Sequence, residues 1–278
     1  MTPTIFAAIL LAALLHALWN ALAKRQAEGR VSVLLVSLCS GLFAAPLLPL
    51  VGWPVAAEYP WLALSILLHC GYCLFLGRAY RLGEFGQIYP LARGSAPLVT
   101  LLFGALLLGE VPGMVAVTGA VVLVSGVLLM AWRGGLRLAP AALQAVLITA
   151  LFTASYTLSD GAGARSAGEP IRYTLWLFAL TALMMPLLMR WQSRTAWREL
   201  GPAAWRSGAI GGALSLLAYG IVIWAMTKAP IGLVAALRES SVLFAVLLSW
   251  GWLGETLGRV RLLAALVILG GILLIRLG

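Results

Sequence analysis

Two arginines of this sequence stand inside apolar stretches, where a charged side chain is costly. Arg93 lies eight residues into the stretch 85–108, and Arg238 lies eight residues into the stretch 230–253. A guanidinium near the bilayer centre costs about 2.5–3.5 kcal/mol on insertion scales, so it normally faces a protein interior or a wet cavity and has a partner. The two arginines therefore predict either a cationic site for an anionic substrate or structural pairing with carbonyls or acids. The candidate acids are Asp160, Glu110 and Glu255.

A face that combines polar and aromatic residues is predicted on each of two further helices. His16, Trp19 and Asn20 are spaced i, i+3 and i+4, which places them on one side of a helix. The same spacing recurs at Thr153, Tyr156 and Thr157. Two matched faces of this kind predict opposite walls of one cavity, whereas anchoring at the membrane interface is the alternative for Trp and Tyr.

A histidine and two glutamates inside or beside apolar stretches are further candidates. His69 lies near the middle of its stretch and is a candidate for proton exchange, because an unperturbed imidazole titrates between about pH 5 and 8. A neutral, hydrogen-bonded packing histidine is the alternative. Glu110 and Glu255 each follow a glycine at a helix end, which favours a role in a turn or a cap.

Prolines on both sides of Arg93 are expected to interrupt its helix. Tyr89-Pro90 precedes the arginine and Pro97 follows it, and a proline inside a helix frees carbonyls that protein, water or substrate must satisfy. The predicted substrate-binding residues are Arg93, Arg238, His16, Trp19, Asn20, Tyr156, Thr157, Tyr89, Ser95, Ser240 and His69.

The composition of the chain indicates what surrounds these helices. Of 278 residues, 62% are hydrophobic and 10% are charged, and the mean hydropathy is +1.01, far from the values of soluble domains. Lysine and arginine outnumber the acids by 19 to 9. Most of the arginines cluster at the ends of apolar stretches, which indicates membrane topology and not a nucleic acid partner. The chain is therefore predicted to be an all-α polytopic protein whose surroundings are a lipid bilayer.

Ten apolar stretches are long enough to cross the bilayer, which takes about 17 to 25 residues. They are predicted at residues 4–23, 31–52, 60–80, 85–108, 112–131, 141–161, 171–190, 207–227, 230–253 and 259–277. The connections are short and often contain glycine or proline, so they leave no room for a soluble domain.

The chain also repeats itself. The segment from Arg93 to Glu110 aligns without a gap on the segment from Arg238 to Glu255, and residues 13–20 align on residues 150–157. Each copy holds five helices, an odd number, so the second copy must enter the membrane in the opposite direction. The predicted architecture is ten transmembrane helices in two inverted five-helix repeats. The predicted repeats span residues 1–134 and 138–278.

Basic residues are distributed unevenly between the two predicted sides of the membrane. The connections after the first, third, fifth, seventh and ninth helices, with the adjoining helix ends, hold 13 of them. The other side holds Arg165, Arg172, Lys228 and Arg276. Because cytoplasmic connections are enriched in lysine and arginine, both termini are predicted to lie outside the cytoplasm. The N-terminal stretch lacks the basic start of a signal peptide and is predicted to remain uncleaved.

These features together resemble the EamA family of the drug/metabolite transporter superfamily. The resemblance rests on the second half of helices four and nine followed by Gly-Glu, on the aromatic and polar pair of helices one and six, and on the five-plus-five arrangement. It covers essentially the whole chain. The segment from His16 to Lys24 also looks like a branch associated with phosphonate utilisation. Relatives are often drawn with cytoplasmic termini and basic residues after helix two, but residues 52–60 have neither Lys nor Arg.

The resemblance implies a secondary transporter with alternating access, in a superfamily that moves amino acids, sugars, nucleotide sugars, organic phosphates and drugs. The two arginines predict a small anionic or zwitterionic solute, and the expected location is a bacterial cytoplasmic membrane. A monomer or homodimer is expected, with no cofactor and no metal, because metal-binding His pairs and phosphate loops are absent from the sequence. The alternatives are an intramembrane lipid-modifying enzyme and a cation or drug exporter in which the arginines are structural.

Overall fold

The computed structural model describes residues 1–24, 29–82, 85–131, 139–192, 200–253 and 258–278, and within these ranges it contains helices and no strand. The described ranges hold twelve α-helices and one short 3₁₀ turn, Ala45–Leu47. The α-helices are α1 Pro3–Lys24, α2 Gly29–Ala44, α3 Leu48–Val51, α4 Tyr59–Leu82, α5 Phe85–Leu108, α6 Met114–Ala131, α7 Pro140–Ser166, α8 Pro170–Gln192, α9 Pro202–Met226, α10 Ile231–Arg238, α11 Ser241–Leu253 and α12 Arg259–Leu277.

These helices form the ten predicted membrane segments. Nine helical segments of the described ranges are long and apolar enough to cross a membrane, and α6 contributes a shorter apolar helix over Met114–Met130. Two segments consist of successive helices, since α2 continues through the 3₁₀ turn into α3 and α10 is followed by α11. The prediction of an all-α polytopic membrane protein is confirmed.

The helices of the two halves pack against each other in a pattern that is preserved when the halves are exchanged. Helix α1 packs on α9 as α4 packs on α7, and α2 packs on both α8 and α9. The pairs α2 with α8, α5 with α10, and α6 with α12 each join equivalent segments of the two repeats. Equivalent helices meet in this way around a two-fold axis, as inverted repeats require.

The interface between α6 and α12 is close enough to bring backbones into contact. A Cβ atom added at Gly271 would lie 2.4 Å from the backbone nitrogen of Leu123, and one added at Gly119 would lie 2.6 Å from that of Ile275. Moving forward along α6 therefore means moving backward along α12, so the two helices are antiparallel. Small residues permit such an approach between membrane helices.

Helix α5 is continuous through both of its prolines, so the predicted interruption around Arg93 is wrong. The helix extends from Phe85 to Leu108 and includes Pro90 and Pro97. A proline removes only one backbone donor, and neighbouring groups in a membrane bundle can satisfy the freed carbonyls. Helix geometry is thus retained where the sequence suggested a break.

The break occurs instead in the equivalent segment of the second repeat. Helix α10 ends at Arg238 and α11 begins at Ser241. Between them, the amides of Glu239 and Ser240 donate to carbonyls three residues earlier, at N···O distances of 3.0 and 3.1 Å. This tighter turn separates the two helices immediately after Arg238.

Two ion pairs join the halves at one end of the molecule. Arg172 Nε lies 3.0 Å from Glu58 Oε2, and Arg165 Nη1 lies 2.5 Å from Glu110 Oε1. Glu110 Oε2 also accepts a 2.7 Å hydrogen bond from the amide of Ile231, the first residue of α10. The predicted capping role of Glu110 is therefore found, but it serves a helix of the other repeat. Glu255 lies outside the described residues.

Candidate functional site

The buried arginine of α5 is paired with an acid of the other repeat. Arg93 donates from Nε to Glu239 Oε2 at 3.1 Å and from Nη2 to Oε1 at 2.8 Å. Both side chains are buried, with 8% of Arg93 and 1% of Glu239 exposed. A bidentate pair of this kind fixes geometry as well as charge. Arg93 is therefore held in place by Glu239, an acid that was not among its three predicted partners.

The second arginine is less completely paired with the same carboxylate. Arg238 Nε lies 3.6 Å from Glu239 Oε1, which is beyond hydrogen-bond distance. Adjacent residues of a regular helix do not face each other. The break after α10 lets the Glu239 carboxylate approach Arg238 despite their adjacency in sequence.

The two repeats differ at the residue that follows each arginine. Gly94 occupies the position in the first repeat that Glu239 occupies in the second. One carboxylate consequently faces two guanidinium groups, Arg93 and Arg238, and their charges sum to +1. In a low-dielectric interior an excess charge of this kind is costly unless a counter-ion is present.

Several buried polar atoms have no hydrogen-bond partner in the described part of the chain. They are His16 Nε2, Thr157 Oγ1, Thr181 Oγ1, Arg238 Nε and Ser240 Oγ. Three of them belong to one group, because His16 lies within electrostatic reach of both arginines and Ser240 is two residues from Arg238. Buried polar atoms normally have partners, so unpartnered atoms beside an excess positive charge mark a place for a polar ligand.

The protonation of His16 follows from its neighbour. Trp19 Nε1 donates to His16 Nδ1 at 3.2 Å, and an indole nitrogen can only donate. Nδ1 is therefore the acceptor, and the neutral ring carries its hydrogen on the unpartnered Nε2. Asn20 instead donates to the backbone oxygen of His16 at 2.7 Å. Of this predicted face, His16 thus offers a free donor, while the indole and amide donors of the other two residues serve α1 itself.

A second polar cluster surrounds Asp160 on α7, which has no exposed surface. Its Oδ1 atom accepts hydrogen bonds from Ser65 Oγ and from Tyr173 Oη, the latter at 3.3 Å. Its Oδ2 atom accepts a 2.6 Å hydrogen bond from Tyr219 Oη. The predicted pairing of Asp160 with the buried arginines is therefore wrong, because three hydroxyl groups bind this carboxylate.

His69 lies beside the same carboxylate. Its Nε2 atom is 3.9 Å from Asp160 Oδ2, and its ring stacks on that of Tyr156 with 4.1 Å between centroids. The Tyr219 ring contacts both His69 and Tyr156 edge-on and lies 5.9 Å from Arg238 Cζ. Tyr219 thus stands between the acidic cluster and the arginines.

The other residues of the predicted site and faces have hydroxyl groups that bond within their own helix, lack a partner, or lie outside the described residues. Ser95 Oγ donates to the backbone oxygen of Leu91 in its own helix at 2.7 Å, and Thr153 Oγ1 bonds to Thr149 in the same way at 2.9 Å. Thr157 is buried with its hydroxyl unpartnered. The side chain of Tyr89 lies outside the described residues.

Sequence reasoning did not identify Glu239, Tyr219 or Ser65 as site residues. A signal existed for the glutamate, because equivalent helices of inverted repeats meet at the axis and Glu239 directly follows the counterpart of Arg93. No pattern distinguished Tyr219 or Ser65 from other residues of their helices, since their contacts depend on how α4, α7 and α9 pack.

Comparisons with known proteins agree with this fold. Residues 140–277 match the model of the EamA-like transporter family. A solved structure, titled only as the crystal structure of a protein, has 19% sequence identity and a TM-score of 0.80, and the match covers 100% of this chain and 98% of that one. A likeness at this identity shows the fold alone. A search of curated proteins gave no match.

Proposed function

Because the chain belongs to the EamA-like transporter family, we propose that it is an alternating-access secondary transporter for a small organic anion or zwitterion in a bacterial cytoplasmic membrane. Transport of drugs or metabolites is the activity that family membership indicates. The nature of the solute is inferred from the site itself.

The observation that carries the proposal is a group of unpartnered donors beside an excess positive charge. We define the anion site as Arg238, Ser240 and His16, whose Nε, Oγ and Nε2 atoms are buried without partners in the described chain. Arg238 and His16 Nε2 can only donate there, and Glu239 already serves Arg93. The site therefore supports a carboxylate, phosphonate or similar anionic group.

The aromatic residues around the anion site favour a substrate with an apolar or aromatic portion. Tyr219 and Tyr156 contact each other near Arg238, and Trp19 lies edge-on to His16 with 5.1 Å between ring centroids. Aromatic side chains present both apolar faces and polar edges. A substrate with an anionic head and a ring would contact both kinds of group.

Matched ligands test the sign of the charge that the site recognises. The purified protein is screened by thermal shift with benzoate, phenylphosphonate, phenylalanine and benzylamine, which share a ring and differ in charge. A ligand that binds only the folded state raises its stability, so the anions are expected to stabilise the protein and benzylamine is not. Stabilisation by benzylamine alone would support the cation exporter with structural arginines.

Variants of Arg238 then assign the binding to the anion site. Arg238→Lys is expected to weaken anion binding in part, and Arg238→Ala to weaken it about tenfold or more, since hydrogen bonds to charged groups contribute about 1.5–3 kcal/mol. Arg276→Ala is the matched control, because Arg276 lies near Met1 and Phe6 at the end of α12. Saturable counterflow in liposomes is expected of a transporter, whereas chemical turnover without translocation would favour the lipid-modifying enzyme.

A further inference from the structure

Asp160 is a buried carboxylate that forms no ion pair with a lysine or arginine of the described residues. Three hydroxyl groups bind it, and within the described chain the one basic nitrogen in ion-pair range is His69 Nε2, at 3.9 Å. Hydroxyl donors compensate a buried negative charge only in part, because burial of an isolated carboxylate is very costly. The charge state of this cluster therefore depends on whether His69 carries a proton.

The hydrogen bonds of His69 define where that proton would bind. The Ser65 hydroxyl donates its single hydrogen to Asp160, so it cannot also donate to the histidine. His69 Nδ1 lies 2.9 Å from the Ser65 backbone oxygen and 3.1 Å from its hydroxyl oxygen. Nδ1 must therefore carry the hydrogen in the neutral ring, and Nε2 has a bare lone pair facing a carboxylate oxygen.

The other ionisable groups around this pair come from every helix packed against it. They are Tyr72 on α4, Tyr156 on α7, Tyr173 on α8, Tyr219 on α9, and, farther away, Arg238 with Glu239 and Arg93. Cys70 and Cys73 follow His69 in the sequence of α4. Free phenols and thiols titrate near 10 and 8.5, so these tyrosines and cysteines are neutral at neutral pH. Tyr219 lies between Asp160 and the guanidinium of Arg238.

When neither the anion nor the proton is bound, the charge of the two arginines with Glu239 cancels the charge of Asp160. The two arginines and Glu239 sum to +1, and Asp160 contributes −1. An anion bound at Arg238 neutralises the first cluster and leaves Asp160 without its counter-charge across Tyr219. A proton bound between His69 and Asp160 removes that imbalance. In a low-dielectric interior each event therefore favours the other, and such coupling is reciprocal.

We propose that His69 and Asp160 together bind one proton, and that this proton is carried with the anion bound at Arg238. The proposal rests on the proposed function, because it adds a second, coupled ligand to the same transport site. The proton enters through His69, because 19% of the His69 side chain is exposed whereas the Asp160 side chain is fully buried. Asp160 holds the proton on Nε2 by its charge, and Tyr219 links the pair to the anion site.

Histidine NMR tests the proton site without any substrate. The chain has two histidines, so His16→Gln leaves His69 as a single reporter in isotope-labelled, purified full-length protein. At high pH we expect the Nδ1–H tautomer, and on acidification the protonation of Nε2. Asp160→Asn is expected to weaken this protonation roughly tenfold, as loss of a nearby opposite charge predicts. An Nε2–H tautomer, or a titration unaffected by Asp160→Asn, would overturn the proton site.

The coupling is also measurable without a known substrate. Arg238→Gln removes the positive charge that a bound anion would neutralise, so it should strengthen proton binding at His69 several-fold, on the order of the Coulomb interaction across one side chain. Arg276→Gln is the matched control and should leave the titration unchanged. Equal titrations in Arg238→Gln and the control would overturn the coupling. If the chain binds benzoate poorly but both NMR results hold, the anionic substrate fails while the proton site stands.

If the His16→Gln background does not fold, the two histidines of the unmodified chain provide the same readout. His69→Gln then assigns the resonances by difference, and the remaining His16 signal reports whether the fold is retained. The expected and contradicting outcomes for Asp160→Asn and Arg238→Gln are unchanged.

Discussion

The hydroxyl of Tyr219 donates a 2.6 Å hydrogen bond to Asp160 Oδ2, while the ring of the same tyrosine lies 5.9 Å from Arg238 Cζ. One side chain therefore contacts both the negative and the positive cluster of the molecule. A change confined to its hydroxyl therefore tests two properties, the stability of the protein and the coupling between anion binding and proton binding.

Tyr219→Phe removes the hydrogen bond and retains the ring. We expect a loss of about 1.5–3 kcal/mol in unfolding free energy, because the bond is made to a charged acceptor. In the unmodified protein, benzoate should bind more tightly at pH 6 than at pH 8, since the proton favours the anion. Tyr219→Phe should reduce that difference. Thermal shift at both pH values measures it, and Tyr59→Phe, a change at an exposed tyrosine, is the control.

Replacement of Arg93 tests whether this residue positions Glu239. Arg93→Ala leaves the buried Glu239 carboxylate beside Arg238, so the loss of stability should stay below the about 3–5 kcal/mol that an uncompensated buried charge costs. The freed Glu239 should then pair fully with Arg238 and abolish anion binding. Arg93→Ala combined with Glu239→Gln restores a net charge of +1 and should recover binding of benzoate.

Calorimetric or fluorescence titration of benzoate compares these two Arg93 variants. Binding by Arg93→Ala at the affinity of the unmodified chain would show that Glu239 does not control Arg238. Failure of the double variant to recover, despite a monodisperse preparation, would instead place Arg93 in direct contact with the anion.

Adjacent glycines of α12 provide a matched test of the contact with α6. A Cβ at Gly271 would meet backbone atoms of Leu123 at 2.4 and 2.6 Å, whereas one at Gly270 would meet nothing within 4 Å. Gly271→Ala should therefore force the helices apart and cost about 1–3 kcal/mol. Gly270→Ala should be neutral or stabilising by up to about 1 kcal/mol, because alanine favours a helix. Thermal unfolding in detergent compares them; equal stabilities would argue against this helix contact.

The charge distribution predicts the orientation of the chain. Thirteen basic residues lie on one predicted side and four on the other, so a C-terminal fusion should lie outside the cytoplasm. A reporter that fluoresces only in the cytoplasm should remain dark, and an alkaline phosphatase fusion should be active. Strong fluorescence from the first fusion would reverse the predicted orientation.

The secondary structure was largely predictable because it depends on local hydropathy. The stretch 85–108 coincides with α5, and the stretch 259–277 coincides with α12. The predicted end of α7, at 161, lies five residues before the observed end at Ser166, since the final turn contains small and polar residues such as Gly163. The local pattern of hydropathy thus predicts where the helices lie, but it does not predict the turns that polar contacts stabilise.

The contacts of the candidate site were less predictable because they join residues far apart in sequence. The pairing of Arg93 with Glu239 requires α5 and α10 to cross at the axis, and the break after Arg238 to turn the carboxylate. The hydroxyl groups around Asp160 come from α4, α8 and α9. Apolar periodicity fixes neither the crossing of helices nor the rotation of one helix against another.

The exchange of partners between the halves has a consequence for how the chain acquires its structure. Among the described residues, α1, α2, α4 and α12 each pack most extensively on a helix of the other half. A single half would leave those surfaces without their packing partners, so the two halves together are the unit that folds. The first half is therefore expected to complete its packing only after the second half has been synthesised. When the two halves are expressed as separate chains, each should fold only in the presence of the other.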